Sequence, residues 1–174
     1  VHGDIGPSDG AAVQLPAAGP VGVAGCGAGA LRARLRLRMP RIAVVAIGNL
    51  LRGDDAVGAH VVKRLEAGFS FEPAVAFLDA GTAGLAAVAA GFDVAVVVDA
   101  ALQGGRPGTV LALDGACLPG ASLPAGLRLV GIGVVAAGTE LGVGLSAPVR
   151  QALPAAVDEV LRQLRALGVS AHPR

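Results

Sequence analysis

The sequence predicts an α/β domain with a largely parallel sheet covered on both faces. Three observations predict it. Residues 42–47 and 94–98 are near-continuous apolar runs, the pattern of strands buried on both sides. Helical periodicity appears in Val57, Val61, Val62 and Leu65, and again in Val149, Leu153, Val157, Val160, Leu161 and Leu164. From Arg41 onward the two patterns alternate along the chain, as parallel strands with crossover helices require.

Each element follows from its local signals. The first strand, 42–47, breaks at Gly48-Asn49, and a short loop then delivers adjacent carboxylates, Asp54 and Asp55. A helix over 54–67 has an acidic first turn and ends at Gly68. A strand over 75–78 closes with Asp79-Ala80-Gly81-Thr82, and a short helix over 84–90 ends at Gly91. The strand over 94–98 closes with Asp99. Gly-Gly and Pro-Gly signals make 103–108 a loop between it and a strand over 109–113. Residues 127–135 form a further strand with Gly131 and Gly133 inside it. The last helix spans 146–167, with Ser146 as its cap, Pro148 in its first turn, Gly168 at its end and Pro154 expected to bend it.

Composition narrows the function classes. A chain of 174 residues is most simply one domain, long enough to bury a core. A net charge of +1 and an aromatic content of 2% give no reason to expect nucleic acid. Gly, Pro and charges interrupt every apolar stretch before it reaches the length of a membrane span. Cys26 and Cys117 lie far apart without a C-x-x-C partner, so they read as unpaired thiols, which together with the absence of a secretory signal pattern favours the cytoplasm. Residues 1–38 are rich in Gly, Ala and Pro and then alternate Leu or Ala with Arg. Their order does not fit a secretory signal. Met39, the single Met, stands two residues before the first strand-forming segment. Residues 1–38 are therefore expected to be an over-extended start or a disordered arm, and 39–174 the α/β domain.

Three strand ends carry carboxylates: Asp54 and Asp55 after the first, Asp79 after the second and Asp99 after the third. In a parallel sheet these ends share one edge, where open α/β sheets bind ligands. A lone Asp at such a place most simply caps a helix or closes a turn. Convergence of three ends shifts the balance, because clustered carboxylates repel unless they are protonated or meet a cation. A divalent ion is the natural partner, though spacing alone does not name it.

The stretch G-N-L-L-R-G-D-D-A-V-G over 48–58 resembles the opening of the hydrogenase maturation proteases, which trim the C-terminus of the large subunit of nickel-iron hydrogenases. L-D-A-G-T-A-G-L over 78–85, V-V-D-A over 97–100, P-G-T-V over 107–110 and G-L-S-A-P-V over 144–149 follow in the family's order, as does A-L-P-A-A-V over 152–157. None of these is specific alone; order and spacing carry the resemblance, which covers residues 41 to about 167. It implies a three-layer α/β/α sandwich with a twisted, mostly parallel sheet. It implies an aspartic-type endopeptidase that acts on the large-subunit precursor and uses nickel in that substrate for recognition. It makes Asp55 and Asp99 the metal-binding and catalytic residues. Gly48, Asn49, Asp54, Asp79, Gly81 and Thr82 become residues that shape the site or bind substrate. The chain is expected to act as a monomer.

The pattern is incomplete. The family's third ligand is a His in a helical segment before the last strand, and here no His occurs between His60 and His172. The connection between Leu113 and Leu127 is short and carries Cys117, a soft donor to nickel or, more simply, a half-buried thiol. His60, on the first helix, reads as a helix-surface histidine, and His172 lies in the tail. Ala136-Ala137-Gly138 stands where the family often has P-E-S. Two acidic ligands without the His imply weaker nickel binding than a complete set. The alternative is a non-catalytic, metal- or subunit-binding assembly factor. A nucleotide-binding domain ranks last, because the loop lacks G-x-G-x-x-G and G-K-[ST] and puts carboxylates where phosphate would sit.

Overall fold

The computed structural model describes residues 39–83, 85–114 and 126–174. Residues 1–38, with Cys26, lie outside the described residues, as do Gly84 and the loop that carries Cys117. In chain order the elements are β1 (Ile42–Ile47), a 3-10 turn (Gly53–Ala56), α1 (Val57–Gly68), β2 (Phe69–Glu72), β3 (Ala76–Gly81), α2 (Leu85–Val88), β4 (Val94–Ala101), β5 (Val110–Asp114), β6 (Arg128–Val135), α3 (Ala147–Ala166) and β7 (Ser170–Pro173).

Five strands form the main sheet in the order β3-β1-β4-β6-β5. β3, β1, β4 and β6 run parallel, and β5 joins the β6 edge antiparallel. The expected mostly parallel sheet is therefore observed, with its exception at one edge. Strand alternation divides the core. Val44, Ala46, Val96, Val98, Ile132 and Val134 pack with the apolar stripes of α1 and α3. Ala43, Val45, Ala95 and Val97 face the other way, onto Leu85 of α2 and Ala89. Both faces of β1 and β4 are thus covered, which explains their unbroken apolar runs.

The helix stripes match expectation closely. Val57, Val61, Val62 and Leu65 are buried on α1, and Val149, Leu153, Val157, Val160 and Leu164 on α3. Leu161 is only partly buried against that core. Pro154 lies within α3 on its exposed side, and the helix is continuous through it. Among the described residues, no helix is long and apolar enough to cross a membrane.

Several bounds differ from expectation. The acidic turn is not the start of α1 but a separate, tighter 3-10 turn. β4 continues beyond residue 98 because its ladder with β6 persists to Ala101↔Val135, so Asp99 lies inside the strand. β3 likewise extends through Asp79. A two-stranded antiparallel sheet, β2 with β7, was not anticipated; it places His172 opposite Ser70.

Gly58 shows how tightly α1 is seated. A Cβ there would lie 2.5 Å from the Val98 carbonyl oxygen and 2.8 Å from that of Ile47. The final glycine of the G-D-D-A-V-G stretch is therefore required by helix-to-sheet contact. Gly58→Ala is expected to cost about 1–3 kcal/mol, the usual penalty of overpacking. A lower midpoint in urea unfolding at unchanged slope checks it.

Candidate active site

The sheet order places the site. β1 is flanked by β3 on one side and β4 on the other, so the chain turns in opposite directions from β1. Beyond the carboxyl ends of strands at such a reversal, an open α/β sheet leaves a crevice. Here that crevice is a cleft of about 540 Å³. Asn49, Arg52 and Asp55 from the loop after β1, Thr82 after β3, and Asp99 with Leu102 at the end of β4 all line it.

The loop is built around Asp55. The Asn49 backbone N–H donates to Asp55 Oδ2 at 2.8 Å, and the Leu51 N–H donates to Asn49 Oδ1 at 2.9 Å. The Asp55 N–H donates to the Arg52 carbonyl at 3.0 Å, which closes the turn. Gly48 allows this closure. Its φ is +121°, and a Cβ there would overlap the Asp55 carbonyl oxygen. Its N–H also reaches the Gly81 carbonyl at 3.1 Å, which ties the loop to the end of β3. Gly48→Ala is expected to displace Asp55 from the cleft and to cause a measurable drop in melting temperature.

Asp99 is half-buried, and its Oδ1 accepts the Ala100 N–H at 2.7 Å. Burial pushes its carboxyl above the usual range; the Ala100 N–H opposes this, and the charge of Asp55 adds to it. Asp55 and Asp99 therefore share one electrostatic environment. The charge of Asp55 thus adds to the burial that disfavours ionisation of Asp99, and a cation beside Asp99 would relieve both. Among the described residues, no three His, Cys, Asp or Glu side chains converge as a metal site.

Asp54 has a different fate from its neighbour. It is 2% exposed and accepts the Ala137 N–H at 2.8 Å, the Ser146 N–H at 2.6 Å and the Ser146 hydroxyl at 2.8 Å. Burial pushes its carboxyl up, but these hydrogen bonds outweigh burial and hold it below the usual range. Asp54 thus fastens residues 136–138 and the start of α3 beneath the loop. Ser146 occupies the expected cap position of α3, yet its hydroxyl serves Asp54 and makes no cap bond.

Asp79 points to different surroundings. It is exposed, its Oδ1 accepts the Gly81 N–H at 2.9 Å, and it lines a second groove of about 530 Å³ with His60, Lys63 and Glu66. Among the residues singled out from sequence, Asn49, Asp55, Thr82 and Asp99 meet in the cleft, while Gly48, Gly81 and Asp54 shape its floor and walls from behind. Sequence reasoning passed over Arg52. Its guanidinium Nε donates to the Thr139 carbonyl at 3.0 Å, and the residue lines the cleft from the rim. Its place inside the G-N-L-L-R-G-D-D stretch was the available signal.

Comparison with known proteins converges on one family. The family model described as hydrogenase maturation protease matches residues 59–125. The Hydrogenase 2 maturation protease of Escherichia coli (strain K12) is 30% identical over 158 residues, spanning 77% of this chain and 96% of that protein. The chain belongs to the hydrogenase maturation proteases. The hydrogenase expression/formation protein HupD of Rhizobium leguminosarum bv. viciae is also 30% identical, over 78% of this chain and 79% of its own length. The solved structure of the hydrogenase maturating endopeptidase HybD from E. coli superimposes with a TM-score of 0.67 at 29% identity, covering 77% of this chain and 98% of that one. Membership of the hydrogenase maturation proteases makes this chain a peptidase by class. Its α/β fold is the one shared with these relatives.

Proposed function

We propose that this protein removes a C-terminal peptide from the nickel-bearing precursor of a nickel-iron hydrogenase large subunit. The observation that carries this is the pairing of Asp55 and Asp99 in one cleft at the sheet's reversal point. In the free protein the charge of Asp99 is disfavoured, first by burial and then by the nearby Asp55. Nickel delivered within the substrate offsets that repulsion and is bound through carboxylate oxygens. Recognition then depends on the metal state of the precursor. The hydrolysis itself needs a water aimed at the scissile carbonyl, a group to take its proton and a proton for the leaving amine. Among the described residues, the two carboxylates and Arg52 are the ionisable side chains that line the cleft.

The activity is assigned to residues 39–174, acting as a monomer in the cytoplasm. Sequential assays with nickel-loaded and nickel-free precursor test the recognition step. Cleavage of the loaded form alone supports the proposal. Equal cleavage of both removes nickel from recognition, and binding of the loaded precursor without cleavage supports a non-catalytic assembly factor.

A further inference from the structure

Among the described residues, the exposed large apolar side chains are Met39, Leu50, Leu51, Leu102, Leu141 and Val143. All but Met39 stand on loops at the carboxylate-bearing edge of the sheet. Single exposed leucines are ordinary on a protein surface. These are not scattered. The Gly142 N–H donates to the Leu51 carbonyl at 3.0 Å, and the Gly53 N–H donates to the Gly142 carbonyl at 2.9 Å. Arg52 and Gly142 form a parallel bridge. The loop of Leu51 is thereby fixed to the loop that bears Leu141 and Val143, whose exposures reach 86% and 89%. Arg52 and Thr139, from the same two loops, line the cleft, and Leu102 lines it as well.

We infer that these two bridged loops form an apolar docking lip for the folded body of the precursor, beside the cleft that receives its C-terminal segment. This rests on the peptidase reading above. The occupant follows from continuity. Arg52 and Thr139 of these two loops line the cleft with Asp55 and Asp99, so a segment entering it runs alongside the lip and brings the body that bears it against this rim. A backbone-bridged lip is also held in place before binding, so few residues need ordering when the partner arrives. Apolar anchors of this kind contribute chiefly to the lifetime of a complex, not to chemistry within it.

The test uses the full chain with Leu51→Ser, Leu141→Ser and Val143→Ser combined, and separately Leu141→Gln alone in case the triple variant does not fold. Cleavage of nickel-loaded precursor and binding to it are measured side by side, with oligomeric state read by sedimentation. The expected result is a KM and Kd raised about tenfold or more with kcat within twofold, in a protein that melts like wild type. Unchanged KM and Kd overturn the lip. A wild-type dimer that the substitutions dissociate, with KM unchanged, assigns the surface to a second copy and also overturns it. If wild type binds the precursor but does not cleave it, the peptidase reading fails while Kd still reports on the lip. If wild type does not bind at all, both fail.

Discussion

Asp99→Asn is expected to abolish processing and, at neutral pH, to stabilise the protein. The two effects share one cause. Asp99 is half-buried, and both burial and Asp55 disfavour its charge. Its folded pKa lies above the unfolded value near 3.8. As pH rises past that value the unfolded chain ionises first, so folding stability falls until the folded pKa is reached. Above it the full penalty persists. Asn keeps the Oδ1 acceptor for the Ala100 N–H and carries no charge. The penalty disappears, and the melting temperature at pH 7 rises above that of wild type. Processing meanwhile loses a carboxylate that the proposed function places against substrate, an expected loss of about a hundredfold or more. A stabilised, inactive variant is what a strained functional site predicts. A destabilised one would make Asp99 a structural turn residue.

Asp54 substitution should have the largest effect on stability. The carboxylate sits 2% exposed and satisfies donors from Ala137 and Ser146. Asp54→Asn keeps the shape but turns an amide NH2 toward groups that already donate. Asp54→Ala leaves them with no acceptor. Either change is expected to cost about 3 kcal/mol or more, because hydrogen bonds to a charged group are lost and buried donors are orphaned. The pH dependence has the opposite sign from that of Asp99. A lowered folded pKa stabilises the protein above about 3.8, and that contribution is lost as pH falls through the folded pKa. Unfolding followed from pH 7 to pH 2 should show an acid-side loss in wild type that is smaller in Asp54→Asn.

The contrast between these adjacent carboxylates marks the limit of the sequence. The apolar runs of β1 and β4 and the stripes of α1 and α3 were legible, because burial imposes its period on the residues themselves. The convergence of Asp55 and Asp99 was legible once those strands were read as parallel. Which of Asp54 and Asp55 would face the cleft was not legible from spacing; the family resemblance alone singled out Asp55. Asp54's partners, Ala137 and Ser146, lie 83 and 92 residues away in the chain. The same holds for β2 with β7. Phe69 and Phe71 alternate with Ser70 and Glu72, a visible strand signal, but their partner is a short polar tail that looks irregular alone. Asp79 was placed near the site by sequence order. β3, however, lies across β1 from β4 at the sheet edge, and its Asp faces the second groove. Ala136-Ala137-Gly138 looked like a missing motif, yet its backbone is what Asp54 holds.

The most direct measurement is the mass of a purified, nickel-loaded and C-terminally extended hydrogenase large subunit before and after incubation with this protein. The account predicts a single cut that releases one defined C-terminal peptide, absent with Asp55→Ala and with Asp99→Asn. An unchanged mass with the cognate subunit and a folded protein would contradict it, as would a cut that survives loss of both carboxylates.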